Sequence, residues 1–432
     1  MIRLVPAGAC AAAATMALLA PSTPVTFRIG PPVAASDVVL EWNVTALETT
    51  ASAPFDPPLE SRNVAIVHAA MFDAVNSITR EFQSYAVDLP PKAEAAPEAA
   101  AAAAAHLALV RLYPAQQARL DAAYAASLAS VPEGPARSGG ILAGETVASR
   151  ILALRAADGA DAAIAFPYTP GTRPGDWTPT PPAFGPALDP GWGSVKTFLL
   201  ESGSQFRPGP PPTLESRKYA RDFEEIREAG SATSTTRTRE ETDLARFWVS
   251  TAAQVWNPAA RLVAIAQRRT LSQNARAFAL LNLAGADAFI ASWDAKFAYN
   301  QWRPVTAIRA AGTDGNAGTA ADPSWTPLLV TPPFPDYIAG HTTYAGAAAE
   351  VLSRVFGRNP GVVMTLTSAA APGVVETYAT FEEIADGVVD ARVWGGIHWR
   401  TSSLIGKHVG ERIGRHAVDH FLKPNRGDSR EP

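Results

Sequence analysis

Two stretches near the start of the chain carry the clearest helical periodicity. Residues 38–49 and 61–78 both space their apolar positions at three- and four-residue steps. In the second, Val64, Val67, Met71, Val75 and Ile78 form one stripe along a helix face. Residues 90–105 are low in complexity, built of Ala, Pro and Glu. Their second half opens a helix that runs on through Leu107, Leu109 and Val110. A further helix is predicted over 138–157. From Glu240 onward the period returns and predicts helices over 240–254, 258–268, 272–303, 341–356, 381–393 and about 398–421.

The stretch 158–213 breaks this pattern. It is dense in Pro, Gly, Thr and Trp and holds no sustained period. An irregular segment that long is usually functional or wraps the surface. It is read either as part of a substrate entrance or as a surface loop pinned by Trp177 and Trp192. Residues 312–336 form a second irregular connection. No fixed-period repeat and no domain linker emerges. The expectation is one helical domain over 31–432, with its core motifs in 240–421, after a leader over 1–30.

Composition supports packed helices. Of 432 residues, 47% are hydrophobic and 18% charged, alanine is abundant, and alternating Val, Ile and Thr are scarce. The fold class is therefore all-α. The net charge of −4 leaves no global basic field for nucleic acid, so any anion site must come from local clustering of Lys and Arg. Cys10 is the single cysteine, which rules out an intrachain disulfide and a cysteine-based metal site.

Cys10 lies in the leader. Arg3 is followed by a small-residue apolar run from Ala7 to Ala20, which Pro21-Ser22-Thr23-Pro24 ends. The run is shorter than the roughly 20 apolar residues that a membrane span needs. It is read as a cleaved secretory signal, giving a secreted or periplasmic protein. The alternative is an alanine-rich disordered leader. No other run has transmembrane length, so no membrane span is expected in the mature chain.

Three segments concentrate unusual groups. In Trp293-Asp294-Ala295-Lys296-Phe297-Ala298-Tyr299-Asn300-Gln301-Trp302-Arg303-Pro304, Lys296 and Arg303 are seven apart. On a continuous helix they would share a face, about 10 Å apart along the axis. Two cations on one face repel unless an anion lies between them. A solvated basic stripe has the same spacing, but Trp293, Phe297, Tyr299 and Trp302 are odd company for one.

In Pro332-Pro333-Phe334-Pro335-Asp336-Tyr337-Ile338-Ala339-Gly340-His341, a proline-rich loop leads into Gly340 and His341 and then an Ala-rich helix. Glycine lets a ligand approach the backbone, and the amides at a helix start suit an oxyanion. His341 there could donate to a bound oxygen or shuttle a proton, or simply cap the helix. In Arg392-Val393-Trp394-Gly395-Gly396-Ile397-His398-Trp399-Arg400, the glycine pair lets the chain turn so that Arg392 and His398 can aim at one point.

Taken together and in this order, Lys–x6–Arg–Pro, Gly–His and Arg–x5–His resemble the three-part signature of vanadium-dependent haloperoxidases and type-2 phosphatidic acid phosphatases. The flanks Phe334-Pro335-x-Tyr337-x-x-Gly340-His341, Gly396-Ile397-His398-Trp399-Arg400 and Phe247-Trp248 are similar to the haloperoxidase side. The resemblance extends more weakly to Leu40-Glu41-Trp42-Asn43 and to the stretch from Val67 to Asn76.

The resemblance implies a helical bundle of the haloperoxidase and acid phosphatase type, and a pocket for vanadate or phosphate. Lys296, Arg303 and Arg392 would neutralise the oxyanion, with the Gly340 amide adding a hydrogen bond. His398 would bind vanadium through a ring nitrogen, or attack phosphorus, and His341 would be the acid–base group. Trp293 and Phe334 would line a halide pocket, although plain core packing reads equally well. The partners would be hydrogen peroxide and halide, with Lys296 polarising the peroxide, or a phosphate ester. A small organic substrate is also possible.

Two positions depart from the family pattern. Ala339 stands where a serine usually precedes Gly–His. Thr251 stands where an aspartate usually pairs with the second arginine, and Asp287 or Asp243 could substitute for it. The departures keep a third reading open, a weakened oxyanion-binding protein without turnover. Of the other histidines, His416 and His420 share a helix face with the spacing of a metal pair but read as surface residues, and His408 lies on the same helix. His68 and His106 read as structural.

Overall fold

The computed structural model describes residues 37–425, apart from 55, 92 and 93. The leader expected over 1–30, Cys10 included, lies outside the described residues. Among them, no helix is long and apolar enough to cross a membrane.

The described residues build an all-α bundle. In its first half run α1 (Val38–Ala51), α2 (Pro57–Thr79), α3 (Pro97–Leu112), α4 (Gln117–Ala129), α5 (Pro135–Arg155) and the short α6 (Ala160–Ile164). After the irregular stretch come α7 (Arg217–Ala229), α8 (Arg239–Phe247), α9 (Ala252–Ala266), α10 (Leu271–Tyr299) and α11 (Pro304–Arg309). Then follow α12 (Gly340–Phe356), α13 (Phe381–Trp394) and α14 (Arg400–His420). A small antiparallel hairpin, β1 (Met364–Thr367) with β2 (Val375–Tyr378), joins α12 to α13.

At the centre lies α10, buried on all its faces over most of its length, as its apolar and Ala-rich composition dictates. Thr270 and Gln273 start it with a reciprocal capping box. It packs on α2 to one side and α12 to the other. In turn α12 packs most extensively on α14. Their approach needs glycine: a β-carbon on Gly410 would lie 2.0 Å from the Thr343 carbonyl oxygen.

Three expectations need correction. The helix foreseen over 272–303 ends at Tyr299, because Asn300 turns left-handed (φ 51°) and its N–H closes on the Lys296 carbonyl. Arg303 therefore does not share a helix face with Lys296. It sits extended (ψ 156°) as the N-cap of α11, as the following Pro304 requires. The break foreseen near Pro258 falls instead at 248–251, and Pro258 is inside α9. His398 precedes the last helix rather than starting it. The helices α4, α6, α7 and α11 and the hairpin were not foreseen.

Candidate oxyanion site

Lys296 enters from the last turn of α10. Its Nζ donates to the carbonyls of Pro335 (2.9 Å) and Asp336 (2.8 Å). Arg303 reaches the same loop from the start of α11. Its Nε donates to the Phe334 carbonyl (2.6 Å) and its Nη1 to that of Ile397 (2.6 Å). The Pro-rich loop thus holds both cations through its carbonyls, which proline leaves intact.

His398 follows the Gly395-Gly396 turn, where Gly396 takes φ 74°. Its Nε2 lies 3.0 Å from Arg303 Nη1. Arg392 comes from the last turn of α13, and its Nη2 donates to the Trp248 carbonyl (2.5 Å). His341 is the second residue of α12, and its Nε2–H donates to the Ser250 carbonyl (3.1 Å). Its Nδ1 is left with the lone pair. Both receiving carbonyls lie in the break between α8 and α9, where no helical partner claims them.

All five side chains share one electrostatic environment. Burial holds His398 well below its ordinary value, and Arg303, Lys296, Arg392 and His341 reinforce this. Burial pushes His341 down to about 3, with Arg392 the next cause. Lys296 is lowered by burial and then by Arg303. Burial and then Arg303 push Arg392 down to about 9. Lys296 and Arg303 are 0% exposed and Arg392 2%, whereas His341 is half-buried. Arg303 Nη2 and Arg392 Nε have no hydrogen-bond partner among the described residues. Buried cations with unused donors are costly unless an anion satisfies them. Two such arginines, with the buried Lys296 beside them around a histidine, suit a tetrahedral oxyanion.

One acid in this cluster was not foreseen. Asp336, fully buried, places Oδ1 3.0 Å from His398 Nδ1 and 4.0 Å from Arg303 Nη1. Burial pushes its carboxyl up to about 6, against the pull of Arg303 and Lys296. Its signal was weak: a single aspartate inside a proline-rich loop, four residues before Gly340.

The aromatic residues form one wall. The Trp293 and Phe334 rings are 4.7 Å apart between centres, and Lys296 Nζ lies 4.9 Å from the Phe334 centre. The Arg303 guanidinium lies 4.6 Å from the same ring, so Phe334 carries two cation–π contacts. Trp293 Nε1 donates to the Leu188 carbonyl (3.2 Å), and the Leu188 N–H donates to that of Pro333 (2.8 Å). The irregular 158–213 stretch therefore buttresses this wall. Trp177 and Trp192 are both buried within it. Gly340 packs closely here too: a β-carbon would stand 3.1 Å from the Trp293 ring and 3.2 Å from Phe289. Its small size serves the wall as much as any ligand.

Neither expected substitute for the missing aspartate serves. Asp287 accepts the amides of Phe198, Leu199 and Leu200, and Asp243 faces Arg239 at 3.6 Å. Arg392 is held by a backbone carbonyl instead. Ala339 is the N-cap of α12 without a side-chain cap, and the Thr342 and Thr343 hydroxyls donate to its carbonyl. Away from the site, His416 rests its Nε2 on the Leu199 carbonyl (3.3 Å), its ring 4.6 Å from that of His420. His106 pairs with Asp121 (2.7 Å), and His68 lies in a buried Asn43–Asn257–Asn282 network.

Comparison with known proteins agrees with the all-α fold. Residues 276–427 match a family profile described as the VCPO second helical-bundle domain. The vanadium chloroperoxidase of Curvularia inaequalis is 25% identical over 410 residues, which span 76% of this chain and 66% of that protein, just under two thirds of its length. The crystal structure of the first bacterial vanadium-dependent iodoperoxidase superposes with a TM-score of 0.78 at 28% identity, covering 91% of this chain and 98% of that one. A holo-type bacterial vanadium-dependent chloroperoxidase shares the fold with a TM-score of 0.67 at 20% identity, over 85% of this chain and 93% of the other. With its three motifs folded into one buried cluster, the chain is similar in fold and in residues 276–427 to the vanadium-dependent haloperoxidases.

Proposed function

We propose that the protein is a vanadate-dependent haloperoxidase that oxidises a halide with hydrogen peroxide. The observation that carries this reading is the convergence of Lys296, Arg303 and Arg392 on His398, with Arg303 Nη2 and Arg392 Nε buried and unsatisfied and Arg303 against the Phe334 ring. The donor set fits vanadate: three cations and the amides at the α12 start for its oxygens, and an imidazole nitrogen for the metal. When bound, vanadate supplies the electrophilic activation of peroxide toward halide.

The chain's own residues do the rest. Arg303 and Arg392 hold the oxyanion and spread its charge. Lys296 is oriented by two carbonyls and lies against the Phe334 ring, where it can polarise a bound oxygen. His341 keeps a lone pair on Nδ1 and is half-buried, so it can take up a proton and return it. Trp293 and Phe334 give a dry, polarisable surface for the halide. The signal-like leader supports action outside the cytoplasm.

The test is to load the purified protein with orthovanadate and assay halide oxidation with peroxide, beside phosphate-ester hydrolysis without vanadate. Halide oxidation that His398→Ala abolishes supports the proposal. Hydrolysis alone would make the protein a phosphomonoesterase working through a phosphohistidine at His398. Silence in both assays, with vanadate bound, would leave an oxyanion-binding protein.

A further inference from the structure

A neutral imidazole carries its proton on one nitrogen and a lone pair on the other. For His398 the surroundings choose between them. Arg303 Nη1 stands nearer Nε2, at 3.0 Å, than Nδ1, at 3.4 Å. A guanidinium has donors and no acceptor, so this contact is favourable only when Nε2 holds the lone pair. On the Nδ1 side, Asp336 Oδ1 stands 3.0 Å away. Neither Asp336 oxygen has a well-aligned partner, and the Ser402 hydroxyl and Trp399 amide are the other donors beside it. An ionised carboxylate only accepts, so this contact is favourable only when Nδ1 carries the proton. Both sides demand the same tautomer.

We propose that Asp336 is a positioning residue that accepts the Nδ1 proton of His398 and so keeps the Nε2 lone pair directed at the oxyanion. The inference deepens the oxyanion reading above and rests on it for its purpose, though not for its first readout. Free imidazole side chains favour the proton on Nε2. Without an acceptor at Nδ1, His398 would present an N–H where a donor lone pair is required.

The loop does not need the carboxylate for its own shape. The Asp336 N–H donates to the Gln301 carbonyl (2.8 Å), and its carbonyl accepts from Lys296 (2.8 Å) and Ser402 (3.2 Å). These main-chain bonds remain when the side chain changes. Asp336→Asn keeps the size and an acceptor and removes the charge, so it separates positioning from packing.

The test uses full-length protein labelled with 15N-histidine, free of ligand, with the His398 ring signals assigned against His398→Gln. The expected parent spectrum shows Nδ1 protonated and Nε2 bare. In Asp336→Asn the population with Nε2 protonated rises, and calorimetric affinity for tungstate falls about 10–100-fold while thermal stability changes little. A parent protein with the proton on Nε2, or an Asp336→Asn variant with unchanged tautomer and tungstate affinity, overturns the proposal. If the variant does not fold, the parent tautomer alone decides. A parent that fails to bind tungstate yet shows the expected tautomer would refute the oxyanion reading and leave this assignment standing.

Discussion

Arg392 donates from Nη2 to the carbonyl of Trp248 across 2.5 Å, and that carbonyl is available because the chain leaves its helix at this residue. The non-helical residues between α8 and α9 thereby anchor an arginine through Trp248 and a histidine, His341, through Ser250. The arrangement leaves Arg392 Nε free for an anion while Nη2 is engaged. A lysine cannot do both from one fixed fork. In Arg392→Lys, tungstate affinity measured by calorimetry is expected to fall about tenfold or more, the equivalent of at least one charge-assisted hydrogen bond. Unchanged affinity would remove Arg392 from the site.

Ala339 offers a direct gain-of-function experiment. Its position caps α12 without a side-chain acceptor. A serine there adds about 0.5–2 kcal/mol if its hydroxyl caps the helix, or about 1–3 kcal/mol of anion binding if it turns inward. Ala339→Ser is expected to tighten tungstate binding about tenfold, within that second range. A raised melting temperature with unaltered affinity would show that the hydroxyl serves only the helix end.

The contact between α12 and α14 gives a stability prediction. A β-carbon on Gly410 would meet the Thr343 carbonyl oxygen at 2.0 Å, a backbone atom that cannot swing aside. Gly410→Ala is expected to destabilise by about 3 kcal/mol, at the upper end of overpacking costs, by forcing apart the helix that carries His341. Chemical denaturation reads this. A loss under about 1 kcal/mol would mean that the two helices separate easily.

His68 gives the pH prediction. Burial, and secondarily Arg261, push it down to about 3, so it stays neutral in the folded protein. The unfolded chain takes up its proton near the ordinary value of 6.5. Its contribution is therefore complete above that value and is lost as pH falls from 6.5 toward 3. By pH 5 the loss reaches about 2 kcal/mol. Asp73 and Asp287, both raised to about 6 by burial, work oppositely, since the folded state takes their protons first. Comparison with His68→Gln isolates the histidine. Between about pH 7 and pH 5 the parent should lose about 2 kcal/mol more stability than the variant. Parallel stability curves would contradict this.

The regular elements were readable because their causes are local. Val64 to Ile78 spell a helical stripe, and the helix forms there, although its neighbours bury nearly all of its faces. The Ala-rich run from Ala99 to Ala105 packs closely because its side chains are small. The five site residues and their convergence were readable through the family resemblance, but the backbone route that brings them together was not. Arg303 reaches its place through a left-handed Asn300 and a proline-restricted backbone, while the helical pattern of α10 points straight past both. The break after Trp248 escaped notice because Val249-Ser250-Thr251 carries no Gly or Pro, whereas Pro258, the obvious breaker, is tolerated inside α9. Asp336 escaped because its partner, His398, is 62 residues on in the chain and meets it only in the folded state. In α7, the steps Tyr219, Phe223 and Ile226 held the correct period over too short a span to stand out.

The most direct measurement is a crystal structure of the protein saturated with tungstate, located by its anomalous scattering. The expected result is one strong peak at His398 Nε2, with Lys296, Arg303 and Arg392 in hydrogen-bonding reach of its oxygens and His341 alongside. A fully occupied tungstate elsewhere, with those five side chains making no contact to it, would contradict the central claim.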